Sequence, residues 1–387
     1  MTYDFDRVVD RSTTFAAKYD ERMKNFGRDD VIPLWIADMD FVTAQPIVDA
    51  LTARAQEGIW GYTSRPDSYF EAICDWQARR NHWHPDPACC SHALGVIPAI
   101  GSMIQYMTEK GDGILIQPPV YGDFFDIVRD NERRVVENRF IEDGNGKWHV
   151  DFADFEEKLK EVRMFLLCNP HNPLGRVWSR EELETMVDLC RKHHVILISD
   201  EIHSDLVFDK GHIPAASLSP EAAAYVITCV SATKTFNMAG LHASTTIFPT
   251  VEMKNQFDRF WRNLEIHRNN AFSLIAMETA YRQGEEWLEQ LKTYLQGNFR
   301  FVKDYIDQHI PGIQTYIPEA TYLMWLDCRG LGMDQETLVK FMIEKAGLGL
   351  SNGRGFGMDG FMRLNAACSR SILEKAMKQL EAAVAAL

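Results

Sequence analysis

The chain has 387 residues, 46% hydrophobic and 25% charged, which supplies enough apolar material for a large core and excludes a disordered chain. Its 41 Lys and Arg against 55 Asp and Glu leave a formal charge of −14, which argues against nucleic acid or an anionic membrane surface as a partner. Eight cysteines are far too few for a disulfide scaffold of this length and form no C-x-x-C pair, so they read as reduced, mostly buried thiols.

Residues 1–10 lack the basic start and apolar stretch of a secretory signal, which predicts a cytoplasmic protein. The longest uncharged run, 88–108, is broken by Gly95, Pro98 and Gly101 and is too polar to span a membrane. Short apolar runs at 113–117, 164–168, 195–199, 225–230 and 245–248 read as strands buried on both faces, alternating with stretches of helical period. One such helix is expected over 180–193, where Leu183, Met186, Val187 and Cys190 recur behind the N-cap candidate Ser179 and the acidic Glu181 and Glu182. This is the pattern of an α/β protein with a mostly parallel sheet flanked by helices. From about residue 285 it changes to a long helix through 308, a short strand at 322–327, a helix at 335–346 and a closing helix from about 369, a smaller α+β unit. The glycine-rich stretch 347–360 is expected to be mobile or tightly turned, a candidate lid.

Chemistry concentrates where the apolar runs end. Lys234, in Ser231-Ala232-Thr233-Lys234-Thr235-Phe236-Asn237, follows the run at 225–230, and strand ends of open parallel sheets are where ligands bind. Alone, a lysine there reads first as a solvated loop residue; partly buried, and with the motifs that follow, it is a nucleophile or Schiff-base former. Asp200 follows the run at 195–199, where a carboxylate either caps a helix or pairs with a protonated ring nitrogen. The run at 164–168 leads into Asn169-Pro170-His171-Asn172-Pro173-Leu174-Gly175, two Asn-Pro pairs where one turn needs fewer. Gly95-Val96-Ile97-Pro98-Ala99 opens a helix whose first N–H groups suit a phosphate, with Pro98 expected at the first helical position. Tyr121, after Pro118-Pro119, is either core or an aromatic that stacks on a planar ring. His82, His84, His193 and His194 lack partners at metal-ligand spacing, so no metal is expected.

Taken in order, these motifs resemble the fold type I pyridoxal phosphate enzymes of the aminotransferase superfamily, over nearly the whole chain. Trp35-Ile36-Ala37-Asp38-Met39-Asp40-Phe41, Trp60-Gly61-Tyr62 and Asp200-Glu201-Ile202-His203 are similar to the MalY/PatB-type cystathionine β-lyases, or cysteine C–S lyases. The resemblance implies a large cofactor-binding domain at 46–284 and a small domain formed by 1–45 with 285–387. It implies that Lys234 binds the cofactor aldehyde, Asp200 the pyridine nitrogen and Asn172 the ring hydroxyl, with His203 nearby. Tyr121 would stack on the ring, while Ser231 and the backbone near Ile97 and Ala99 hold the phosphate. Arg363 would grip the substrate carboxylate, and Tyr62 would reach the neighbouring subunit's site in a homodimer. His242 stands where many superfamily members carry a basic residue on the phosphate, and His203 where many aminotransferases carry a tyrosine.

The expected reaction is α,β-elimination from L-cystathionine or another cysteine S-conjugate, giving pyruvate, ammonia and a thiol. An aminotransferase on the same fold is the alternative, as is a lyase with an added regulatory binding role.

Overall fold

The computed structural model describes residues 1–143 and 147–387. The chain divides into two compact units: Thr43–His171 with Val177–Glu285, and Met1–Val42 with Asn172–Arg176 and Glu286–Leu387.

The larger unit is built on a seven-stranded sheet of β1 (Cys90–Ala93), β2 (Gly113–Ile116), β3 (Arg134–Glu137), β4 (Met164–Cys168), β5 (Ile196–Asp200), β6 (Ile227–Val230) and β7 (Ser244–Ile247). Their order is β1-β7-β6-β5-β4-β2-β3. Neighbours from β6 to β3 are parallel, and β7 runs antiparallel to both β1 and β6. The central strands are continuous apolar runs because helices cover both faces, leaving no solvated side to alternate toward. Strand β4 lies where its apolar run predicts, while β5 lies one residue later, so that Asp200 is itself a strand residue.

Helix α1 (Val96–Met107) lays Val96, Ile100, Met103 and Ile104 on a core with Ile114, Ile116, Leu166, Ile198 and Ile227. Pro98 is the third residue of this helix, not the first. It is tolerated there because N–H groups in the first turn have no helical acceptor. Helix α2 (Arg180–Lys192) opens with a capping box: Ser179 Oγ accepts from Glu182 N–H at 3.2 Å and Glu182 Oε2 accepts from Ser179 N–H at 2.9 Å. Leu183, Met186, Val187 and Cys190 are its buried face, as their spacing predicts.

In the smaller unit Ile32–Pro33 pairs in parallel with Leu348–Gly349, and Leu323–Asp327, Phe361–Asn365 and Ser351–Asn352 form an antiparallel sheet in that order. The glycine-rich segment is therefore woven into two sheets and a turn at Gly353–Phe356 rather than forming a lid. Its glycines allow close approach: a Cβ on Gly353 would lie 2.6 Å from the Met358 carbonyl oxygen, and one on Gly349 would lie 2.7 Å from the Phe26 ring. Among the described residues no helix is long and apolar enough to cross a membrane. All eight cysteines are free thiols, and all but the partly exposed Cys89 are buried.

Candidate active site

Three strand ends of the larger unit meet at Asp200. Its Cα is in register with Cys168 of β4 and Cys229 of β6, and the junction is locked by Asn169 N–H donating to the Asp200 carbonyl at 2.9 Å and Glu201 N–H to the Cys229 carbonyl at 2.8 Å. The carboxylate is buried, and Oδ1 accepts from Ile202 N–H at 3.1 Å. Burial pushes the carboxyl up to about 7; the Ile202 hydrogen bond opposes this, the Glu201 charge adds to it, and the nearby Lys234 ammonium again opposes it. Such a group gains from a further cationic N–H donor.

Lys234 lies on a one-turn helix, α3 (Ala232–Thr235), directly after β6. Ser231 caps it, its Oγ accepting from Thr233 N–H at 3.1 Å while donating to the Ala243 carbonyl at 2.7 Å. On the far side of the lysine, Thr235 Oγ1 donates to Asp205 Oδ2 at 2.8 Å, and Trp76 Nε1 donates to Asp205 Oδ1 at 2.7 Å. Lys234 is thus anchored at both flanking turns of its helix.

Behind Asp200, Glu201 is fully buried: Oε1 accepts from Ser199 Oγ at 2.8 Å and Ala215 N–H at 3.0 Å, and Oε2 lies 2.8 Å from His212 Nε2. Asp205, Glu201 and His212 were not singled out by sequence reasoning. The available signal was Asp and Glu clustered just past a strand end; His212 carries none, since only the fold brings it back.

At the start of α1, the Ala99 N–H closes the first helical bond onto the Gly95 carbonyl at 3.1 Å. Ala99 thus uses its N–H inside the helix, whereas those of Val96 and Ile97 lie in the turn where the helix offers no acceptor. Tyr121 is half-buried against the same core, its ring 6.1 Å from that of Phe124 and its hydroxyl donating to Asp123 Oδ2 at 2.6 Å. His203 is buried on the turn after β5, and its carbonyl accepts from Leu206 N–H at 2.9 Å. His242 ends a short turn in the left-handed region at φ 50°. Tyr62 is 97% exposed.

In the smaller unit, Arg363 is buried on the strand Phe361–Asn365. Nη1 donates to Asn172 Oδ1 at 3.1 Å, Nη2 donates to the Trp35 carbonyl at 3.0 Å and to Ser351 Oγ at 3.2 Å, and the guanidinium lies 4.6 Å over the Phe356 ring. The structure thus joins Asn172 to Arg363. Asp38 and Asp40, from the Trp35 to Phe41 motif, hold Arg11 at 2.9 Å each, and Asp40 also holds the buried Lys18 at 2.8 Å, which makes these acids part of the local frame.

Residues 30–380 match the family model for class I and II aminotransferases. The chain belongs to this family. Among its aminotransferase-family relatives, the cystathionine beta-lyase PatB of Bacillus subtilis strain 168 is 38% identical over 98% of this chain and 100% of that protein. Cystalysin from Treponema denticola, solved with a pyridoxal 5'-phosphate cofactor, superposes with a TM-score of 0.96 at 30% identity, each chain fully covered (100% and 100%). The PLP-bound C–S lyase of Staphylococcus hominis, complexed with L-cycloserine, gives 0.93 at 31% identity, over 99% of this chain and 98% of that one.

Proposed function

We propose that the protein is a pyridoxal 5'-phosphate-dependent C–S β-lyase that cleaves L-cystathionine or other cysteine S-conjugates to pyruvate, ammonia and a thiol. The observation that carries this reading is the buried Asp200 carboxyl, raised to about 7 beside Lys234, in a chain alignable end to end with a cystathionine beta-lyase. That donor set fits the cofactor: an amine for its aldehyde, a desolvated carboxylate for its ring N–H, and first-turn N–H groups for its phosphate.

When bound, the cofactor supplies an electron sink for the bonds at the substrate's α-carbon. Lys234 would hold its aldehyde and, once displaced by the substrate amine, act as the base that takes the α-proton. Asp200 would stay ionised opposite the ring nitrogen and keep it protonated. Tyr121 would cover the ring face, and Asn172 and His203 would serve the ring hydroxyl. Ser231 would turn its hydroxyl from Ala243 toward the phosphate, joined by the N–H groups of Ile97 and Val96. Arg363 would take the substrate carboxylate with its planar fork, which a lysine cannot reproduce.

The domains would be 1–45 with 285–387 and, between them, 46–284. The working unit would be a cytoplasmic homodimer in which the exposed Tyr62 completes the neighbouring subunit's site. Incubating the purified holoenzyme with L-cystathionine and no 2-oxo acid tests the reading. Pyruvate and free thiol are expected; turnover that requires a 2-oxo acid and yields a second amino acid would show an aminotransferase instead.

A further inference from the structure

The carboxyl of Glu201 lies behind Asp200 among hydrogen-bond donors. Oε1 accepts from Ser199 Oγ, from the Ala215 N–H and, more weakly, from Asn169 Nδ2 at 3.4 Å, while Oε2 faces His212 Nε2 at 2.8 Å. The side chains of Glu201 and His212 are both fully buried. Asn169 Nδ2 also donates to the Ile213 carbonyl at 3.0 Å, so the loop after β5 is tied back beneath the strand end at His212, Ile213 and Ala215. Such a donor set suits an anion, because a carboxylate persists in the interior only where hydrogen bonds replace its water.

The network also places the proton between Glu201 and His212. His212 Nδ1 is buried and has no partner among the described residues. A neutral Glu201 would donate from Oε2 to Nε2, which puts the imidazole proton on Nδ1 and orphans a buried donor; an imidazolium would orphan the same N–H. An ionised Glu201 accepts from Nε2–H and leaves only a bare lone pair at Nδ1. The pair is therefore a carboxylate with a neutral imidazole, and its negative charge stays in the interior. The charged and titratable groups facing it are Asp200 beside it, Cys229 of β6, whose thiol is pushed up by burial and then by both carboxylates, and Asp205, within reach of His212; the Lys234 ammonium reaches Asp200 from α3. A fixed negative charge so placed raises the proton affinity of Asp200 and of any cationic N–H that hydrogen-bonds to it.

We propose that Glu201, kept ionised by the His212 Nε2–H, is a positioning residue that acts through Asp200 to hold the proton on the cofactor's ring nitrogen. This rests on the pyridoxal phosphate reading above. An infrared pH titration of the cofactor-free protein tests it, with the protonated carboxyl band of Asp200 assigned by its loss from Asp200→Asn. The wild-type midpoint of about 7 is expected to fall by about one unit or more in Glu201→Gln and in His212→Phe, and to stay at the wild-type value in His212→Gln, which keeps an N–H donor for Oε2. In equilibrium dialysis the Glu201→Gln protein is expected to hold the cofactor about tenfold more weakly than wild type, the equivalent of one such unit. Should Glu201→Gln not fold, His212→Phe set against His212→Gln gives the same comparison. A wild-type midpoint in Glu201→Gln, an equal shift in the two His212 variants, or unchanged cofactor retention overturns the proposal. Wild-type protein that takes up no cofactor overturns the reading beneath it as well. No substrate or 2-oxo acid enters these measurements, so the choice between lyase and aminotransferase is decided separately, by product analysis.

Discussion

Replacing Asp200 by Asn exchanges a buried acid for a neutral group of nearly the same shape. In the cofactor-free protein, burial holds the carboxyl at about 7 against an ordinary 3.8, so the folded chain keeps a proton that the unfolded chain releases. The stability associated with that proton is fully present below pH 4, falls as pH rises toward 7, and levels off above it. At about 1.4 kcal/mol per unit, the interval amounts to roughly 4 kcal/mol, a ceiling because water entering beside the ion relaxes it. Asn releases no proton and escapes this loss. Urea unfolding of the two cofactor-free proteins should therefore give nearly equal stabilities at pH 4 and a more stable variant at pH 8, by on the order of 2 to 4 kcal/mol. Loaded with cofactor, the order should reverse, because the variant has no anion to set against the ring N–H. A variant less stable than wild type at pH 8 without cofactor, or a difference that ignores pH, would refute this reasoning.

Arg363→Lys keeps the charge but loses the planar fork, so kcat/KM should fall about tenfold to a hundredfold, mainly through KM; steady-state kinetics with L-cystathionine would read it, and an unchanged KM would count against the carboxylate role. Thr235→Val leaves the buried Asp205 Oδ2 without the donor it has at 2.8 Å and should cost about 1 to 3 kcal/mol of stability in chemical unfolding. Gly175 has φ +60°, and a Cβ there would lie 2.6 Å from Pro318 Cβ and 3.0 Å from the Ala320 carbonyl oxygen. Gly175→Ala should therefore destabilise by about 2 kcal/mol or more, visible as a lowered melting temperature.

Much of this architecture is legible in the residues alone, for a physical reason. Strands such as Met164–Cys168 are covered on both sides and must be apolar throughout, and the Ser179–Glu182 cap is a purely local hydrogen-bond exchange. Strand Cys90–Ala93 escapes notice because Ser91 and His92 are polar yet buried, their partners Asp258 and Asn269 being distant in sequence. The reversed direction of Ser244–Ile247 has no local signature: Ser244, Thr245, Thr246 and Ile247 are all buried, so no alternation in the residues separates an antiparallel neighbour from a parallel one. In the site, Lys234 and Asp200 stand out because each follows an apolar run. Glu201 and His212 do not, because their meeting depends on a loop that returns beneath the strand end. The start of α1 at Val96 is not legible from Pro98 alone, and with it the Ala99 N–H serves the helix.

The central claim is that Lys234 carries the cofactor. Reducing the purified protein with borohydride, digesting it and measuring peptide masses tests this most directly. A phosphopyridoxyl group on Lys234, absent from every other lysine and lost from Lys234→Ala, is the predicted result; an unmodified Lys234, or the group on another lysine, would contradict it.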